Sequence, residues 1–266
     1  MRKLRIMSIN MNDFGGKKRH LMEHKYFSNR DREKHIDWLY WAKYVDKSET
    51  WEAFKRYILQ KNPDILFVEE MLISCYEEID FLGELKKLGY IYVDESLPER
   101  GNYSLTMSFY KGEEPEYVES PGNYRRYRSV ICRIADMLVY GSHFPSESDE
   151  EFLAYTDAFI RANLSRDILL IGDLNANNPE RGNRKMLNRL LEDGAVDLWT
   201  AAGNPEDTPT EAKYRKRIDY AIASPSLAEK VRNIEIDSFP MESGMTDHAA
   251  VIVDIEIEEN ELQENN

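Results

Sequence analysis

The sequence predicts a single mixed α/β domain, and three observations carry that reading. Short apolar runs alternate with longer segments whose apolar residues recur at helical spacing. No internal repeat, low-complexity linker or break in composition divides the 266 residues. With 42% hydrophobic and 32% charged residues, the chain has a globular composition and enough length to bury a sizeable core. Residues 1–258 are expected to form one domain with an excursion at 13–49, followed by an acidic tail at 259–266.

Residues 4–9 lean apolar and read as a first strand that delivers Asn10 and Asn12 at its end. The excursion is polar, charged and aromatic, with a short helix expected at 35–45 and surface chain around it. Thr50 is placed to cap a helix whose Trp51, Phe54 and Ile58 share a face, and Pro63 breaks that helix. Residues 65–68 then form a buried strand ending at Glu69 and Glu70. Tyr76, Ile79, Leu82, Leu85 and Leu88 mark an amphipathic helix stopped by Gly89. Strands follow at 90–93, 104–110, 130–134 and 137–140, the last two as a hairpin with His143 just beyond it. Ser148 and Glu151 have capping-box spacing and open a helix through Phe152, Tyr155 and Phe159. Further on, Met186, Leu187, Leu190 and Leu191 define a helix ended by Gly194. Residues 217–223 read as a strand carrying Asp219, and 226–231 as a short helix. Residues 234–239 and 250–257 read as closing strands, with Thr246, Asp247 and His248 between them.

The stretch 167–177, DILLIGDLNAN, holds the densest signal. Its apolar run 168–171 reads as a strand buried on both faces. Gly172 ends the run, and Asp173 and Asn175 follow two residues apart. In an extended chain they emerge together at the carboxyl end of a buried strand, where open α/β sheets place their ligands. A turn is the alternative reading, because Gly, Asp and Asn are common turn formers. Polar residues recur at other strand ends: Asn10, Glu70, His143, Asp219, Asp247 and His248. Each alone has a bland reading as a cap, a helix start or a surface histidine. Together, acids mixed with Asn suit a hard, oxygen-seeking cation such as Mg²⁺, and no Cys/His ligand spacing for zinc is present.

Bulk properties narrow the function classes. No apolar run approaches the ~20 residues of a membrane span, and the N-terminal MRKLRIMSIN lacks a secretory h-region. Cys75 and Cys132 sit in apolar contexts and read as buried free thiols, so a cytoplasmic protein is expected. The net charge of −14 argues against indiscriminate binding of nucleic acid. That charge is uneven: 254–266 carries six acids and no Lys or Arg, whereas 124–133 carries Arg125, Arg126, Arg128 and Arg133 with no acid.

Six motifs, in chain order, now bear on function: SINMN at 8–12, PDILFVEE at 63–70, GSHF at 141–144, GDLNA at 172–176, RIDYAIAS at 217–224 and TDH at 246–248. The set resembles the endonuclease/exonuclease/phosphatase superfamily, the fold of pancreatic deoxyribonuclease and the major apurinic endonucleases. Four features depart from the family pattern. Glu69 stands where Gln is usual, Thr246 where Ser is usual, Ile9 where Trp is frequent, and the excursion is longer than in compact members. The resemblance implies a four-layer sandwich of two packed mixed β-sheets flanked by helices, with the site at one end. It also implies roles. Glu70, with Asn10, would hold Mg²⁺ (or Mn²⁺), with Asp247 close to the metal or to a second metal position. Asp173 would orient or deprotonate the attacking water, helped by Asn175. Asp219 would hold the ring of His248 at the scissile phosphate. His143 would contact that phosphate or help protonate the leaving oxygen, and Arg128 would neutralise it.

The activity so implied is a Mg²⁺-dependent phosphoesterase, in first place a nuclease cleaving phosphodiesters by in-line attack of an activated water. Arg125, Arg126 and Arg128, interleaved with Tyr124 and Tyr127, suit a polymer that offers several phosphates and bases. A phosphatase or phosphodiesterase of phosphoinositides or other small phosphoesters is the alternative. A sphingomyelinase-like enzyme would want an exposed apolar surface for membrane contact, and none is evident. A silent binding module requires lost catalytic groups, and here they all stand.

Overall fold

Twelve strands form two six-stranded sheets in a computed structural model that describes residues 1–16, 47–72, 79–93, 104–120 and 126–257. The first sheet contains β1 (Arg2–Asn10), β2 (Ile65–Leu72), β3 (Ile91–Tyr92), β4 (Ser104–Tyr110), β11 (Val231–Asp237) and β12 (Ala250–Ile257), in the order β11-β12-β1-β2-β4-β3. The second contains β5 (Glu116–Val118), β6 (Ser129–Ile134), β7 (Met137–Ser142), β8 (Ile168–Asp173), β9 (Val196–Asp197) and β10 (Asp219–Ala223), in the order β5-β6-β7-β8-β10-β9. Each sheet is mixed. β1 runs parallel to β2 and β7 parallel to β8, while their other pairings are antiparallel.

Strand alternation sorts the apolar residues into three layers. Leu4 and Ile6, Ile65 and Phe67, Leu169 and Ile171, Ala221 and Ala223, and Val251, Val253 and Ile255 meet between the sheets. Their neighbours face outward. Met7, Ile9, Leu66, Val68 and Phe109 pack under α1 (Ser48–Lys61) and α2 (Phe81–Lys87) through Trp51, Phe54, Ile58, Phe81 and Leu85. Leu138, Tyr140, Leu170, Tyr220 and Ile222 pack under α3 (Glu150–Asn163) and α4 (Gly182–Glu192) through Phe152, Ile160, Met186, Leu187 and Leu190. Helix, sheet, sheet and helix make the four layers implied by the resemblance. Three short helices, α5 (Leu198–Ala201), α6 (Pro225–Ala228) and α7 (Phe239–Ser243), sit in connections.

Several local expectations give way to tertiary context. Lys47, not Thr50, precedes α1; its Nζ lies 2.8 Å from Asp13, and both side chains are buried. Residues 13–16 and 47–49 thus belong to the packed domain, Phe14 edging against Trp51 and Phe54. Asp149 caps α3 by accepting the Phe152 N–H, while Ser148 accepts the Gly182 N–H instead of forming a capping box. Leu82, expected on a buried face, is exposed, and Phe81 takes its place beneath α2. Ser224 caps α6 in place of a helix at 226–231, which leaves Val231 to open β11. The strand expected at 217–223 is β10 and starts at Asp219, while Arg217 pairs with Asp197. The two-residue β9 and three-residue β5 carry too short a pattern to be read from sequence. The helix expected at 35–45, Cys75, Tyr124, Arg125, the Arg126 side chain and the acidic tail lie outside the described residues. Cys132 is buried and free, as expected. Among the described residues, no helix is long and apolar enough to cross a membrane.

At the edge of the first sheet's core, Arg5 grips Asp254 with Nε–Oδ1 of 2.7 Å and Nη2–Oδ2 of 3.0 Å, and Lys3 adds a contact of 3.1 Å. The hydrogen bonds from Arg5 hold the Asp254 carboxyl below the usual carboxylate range despite its burial. A lowered folded-state pKa contributes stability above the unfolded value, and that stability is lost as pH falls through the folded one. Asp254→Asn is therefore expected to cost about 2 kcal/mol at pH 7. The deficit relative to the wild type should shrink below about pH 4. Urea denaturation across that range checks both statements.

Candidate active site

The inner rows that fill the sandwich turn polar at one end of it. Ser8 continues Leu4 and Ile6, Glu69 continues Ile65 and Phe67, Asp173 continues Leu169 and Ile171, and Asp219 precedes Ala221 and Ala223. Register brings these groups together, since Asn10 pairs with Glu69 and Asp219 lies directly opposite Asp173. Asp173 reaches this position through Gly172, whose φ is +140°. A Cβ there would lie 2.1 Å from the Ser142 carbonyl oxygen and 2.6 Å from Glu69 Oε1. Only glycine fits.

Glu70 departs from the alternation. The pairing of β2 with β4 shifts between Val68 and Met71, and Glu70 has a left-handed φ of +52°. This bulge lets the strand run on to Leu72 and swings Glu70 toward the cleft, while Glu69 stays inside. Asn175 is also left-handed, at φ +48°. The chain there is a turn, not the extended segment expected. Asp173 Oδ1 accepts the Asn175 N–H at 3.0 Å, and Asn175 Nδ2 donates to the Phe144 carbonyl at 2.9 Å. Asn175 therefore fixes Asp173 from behind while lining the cleft.

The centre is a dense polar cluster. Asn10 Nδ2 donates to Asp173 Oδ2 (3.1 Å) and Glu70 Oε1 (3.3 Å), and Asn10 Oδ1 accepts the Asn12 N–H (2.9 Å). Asn10 thus aligns the two carboxylates with its donor side, while its oxygen accepts one backbone N–H and keeps a second lone pair. Thr246 Oγ1 donates to the Asn10 carbonyl at 2.7 Å, so its hydroxyl ties the loop of Asp247 and His248 to β1. His248 Nδ1 lies 3.0 and 3.2 Å from the two Asp219 oxygens. His143 Nδ1 accepts from Arg128 Nη1 at 3.3 Å, which leaves Nε2 facing Asp173 (3.6 Å) and Glu70 (3.7 Å).

Protonation differs sharply between these groups. Burial pushes Asp173 up to about 8, with the opposed Asp219 charge adding to it and His248 working against it. Burial lowers His143 to about 4, helped by the Arg128 and His248 charges against the pull of Glu70. The lowered pKa favours the neutral imidazole at pH 7, so the approaches of His143 to Glu70 and Asp173 are not ion pairs. Burial alone would lower His248, but the charges of Asp219, Asp173 and Asp247 and the Asp219 hydrogen bond raise it well above the ordinary value.

The donor set fits a divalent cation. One ligand atom each from Glu70, His143 and Asp173 lie within 4.8 Å of one another, as do those of Asp173, Asp219 and His248. Burial, with the nearby Asp219 and Glu70 charges, holds the Asp173 carboxyl up, and a cation bound here would offset that. Around this floor opens a cleft of about 810 Å³. Arg128, Arg181, Lys213 and Lys216 line it with Asn177, Asn178, Tyr214 and Asp247.

The profile of the Endonuclease/Exonuclease/phosphatase family matches residues 50–248. The chain belongs to this family. Solved structures agree on the fold. An AP endonuclease from Archaeoglobus fulgidus superposes with a TM-score of 0.63 at 17% identity, covering 96% of this chain and 100% of that one. A 3′ phosphatase, NExo, from Neisseria, bound to product DNA hairpin, gives 0.65 at 15%, and a 3′-5′ exonuclease (NExo) from Neisseria meningitidis gives 0.62 at 15%, both with the same coverage. No curated protein sequence matches at a significant level. As a family member, the chain is a metal-dependent phosphoric ester hydrolase.

Of the site residues read from the sequence of this family member, Glu70, Arg128, His143, Asp173, Asn175, Asp247 and His248 line one cleft, with Asn10 and Asp219 directly behind them. Glu69 is legible in the sequence only as a departure from the family pattern, because a strand-end Glu looks the same whether it faces core or cleft, and Arg181 and the 213–216 loop were not among the residues read there. The signal for the loop is the run KYRKR at 213–217, four cations in five residues, separated from Asp219 by Ile218.

Removing the neighbour that charges His248 tests this electrostatic picture. Asp219→Asn should bring the His248 pKa down toward or below the ordinary histidine value, read from the imidazole proton shifts in an NMR titration. A titration unchanged from the wild type would count against the pairing.

Proposed function

We propose that this phosphoesterase is a Mg²⁺-dependent nuclease that hydrolyses phosphodiester bonds of nucleic acid by in-line attack of an activated water. The observation that carries the reading is the division of the cleft into an acidic floor and a cationic rim. Glu70, Asp173 and Asp247 crowd negative charge where a cation would sit, while Arg128, Arg181, Lys213 and Lys216 stand around it. A small phosphoester would leave most of that rim without a phosphate to meet; a polymer offers one at each step. Glu70 and Asp247 would hold Mg²⁺, which when bound supplies positive charge against a phosphoryl oxygen. Asp173, whose raised carboxyl a bound cation would draw toward the ionised form, would take the proton of the attacking water, held in aim by Asn10 and by the Asn175 N–H. His248, kept charged by Asp219, would face the negative charge that grows on the phosphate, with Arg128 beside it. Neutral His143 would donate a hydrogen bond from Nε2 to the same group. Such a hydrolase would work in the cytoplasm.

The decisive experiment is a substrate panel of plasmid DNA, single-stranded DNA, RNA, abasic duplex and soluble inositol phosphates, each with Mg²⁺ and with EDTA. Mg²⁺-dependent cleavage of at least one nucleic acid is expected, and EDTA should abolish it. Phosphate release from the inositol phosphates alone would replace this reading with a small-phosphoester phosphatase.

Asp173 and His248 act on one event, so their losses should not multiply. Asp173→Ala and His248→Ala are each expected to lower kcat by roughly 10²-fold or more. The double variant should fall short of the product of the two. Strictly multiplicative losses in steady-state assays would mean that the two groups act independently.

A further inference from the structure

The 212–216 loop is exposed throughout but pinned from within. Buried Glu211 accepts the Lys213 N–H at Oε1 (2.5 Å) and the Tyr214 N–H at Oε2 (2.8 Å). The N–H groups of Thr210 and Glu211 both donate to the Lys216 carbonyl, at 3.0 and 3.1 Å. Ala212 N–H donates to the Asp247 carbonyl at 2.9 Å, and Glu211 forms a β-bridge with His248. Thr210 Oγ1 accepts the N–H groups of Ile218 and Asp219. The loop is therefore tied to the segments that carry Asp219, Asp247 and His248.

Such a rigid turn presents Lys213, Tyr214 and Lys216 to the cleft. The Tyr214 side chain is 63% exposed, and the Lys213 ammonium lies 5.0 Å from its ring centroid. The fold itself asks nothing of this ring, because backbone and Glu211 hydrogen bonds already define the turn. An exposed aromatic ring beside a phosphoesterase centre, with Lys213 over one face and Lys216 lining the same cleft, has the form of a platform for a flat, apolar group joined to phosphates.

We propose that Tyr214 stacks on an unpaired nucleobase adjacent to the scissile phosphate, while Lys213 and Lys216 meet the flanking phosphates. The inference rests on the nuclease reading above and sharpens its substrate class. A base inside a duplex has both faces covered by its neighbours, so an aromatic side chain gains a stacking partner only where the base is unpaired or terminal. The substrate is accordingly a single strand, a frayed end or an unpaired nucleotide.

The test uses a short single-stranded oligonucleotide carrying 2-aminopurine between thymidines. It is added to the full chain bearing Asp173→Asn, so that binding is read without turnover. Stacking on Tyr214 should quench the 2-aminopurine fluorescence. Adding Tyr214→Ala should remove the quench and weaken binding about tenfold, the lower part of the range for loss of one stacked base. Tyr214→Trp should preserve both, which separates loss of the ring from damage to the loop. A duplex that holds the same 2-aminopurine in a base pair should bind more weakly than the single strand. Equal quenching and affinity with Tyr214→Ala, or binding of the duplex alone, would overturn the inference and leave the nuclease reading standing. If the wild type cleaves no nucleic acid yet hydrolyses bis(p-nitrophenyl) phosphate, the nuclease reading falls and this inference falls with it.

Discussion

The direct opposition of Asp173 and Asp219 across β8 and β10 is the constraint on which the rest of the site depends. Like charges at paired positions of adjacent strands repel, and burial removes the water that would screen them. The structure answers with specific partners. His248 takes both oxygens of Asp219, while Asn10 and the Asn175 N–H take those of Asp173. Asp219 thereby faces the His248 imidazole, whereas Asp173 accepts only amide N–H donors, and burial together with the opposed Asp219 charge raises its carboxyl.

Beneath this pair lies a second layer of support. Glu69 is fully buried, with Ser8 donating to one oxygen and the Asp173 N–H to the other. Burial, together with the charges of Asp173 and Asp219, raises its carboxyl well above the ordinary range and favours the neutral acid. A Gln at this position would offer a similar pair of contacts, which accounts for the departure from the family pattern without loss of the site. Left-handed backbone at Glu70 and Asn175 and the positive φ of Gly172 occur at the strand ends that carry the site. Such conformations persist only where surrounding structure holds them. Here the apolar rows of both sheets, with their helix layers, provide that hold.

Charge on the whole chain and charge at the cleft point in opposite directions. The formal balance is −14. Yet the mouth of the cleft carries Arg128, Arg181, Lys213 and Lys216, and many acids lie elsewhere in pairs such as Glu84 with Lys55 and Glu256 with Arg232. Local field, not net charge, meets an approaching phosphate. A cleft of about 670 Å³ lined by Arg56, Tyr57 and Phe239 lies between α1 and α7, and none of its lining residues belongs to the acidic centre.

By itself the sequence determined the strands and their polar ends. Alternation places 168–171 in a buried strand and Asp173 after it, and the spacing of Asn10, Glu70, His143, Asp219, Asp247 and His248 along the chain carries the family resemblance. Those signals are local: a two-residue period, a glycine and a short motif. Tertiary structure alone decided the rest. Which of Glu69 and Glu70 faces the cleft depends on a bulge against β4, and the turn in which Asn175 braces Asp173 depends on the Phe144 carbonyl. That Arg217 leaves a basic run to pair with buried Asp197, while Lys213 and Lys216 reach the cleft, depends on the Glu211 clamp. Each outcome turns on a partner distant along the chain, and no spacing within one segment records it.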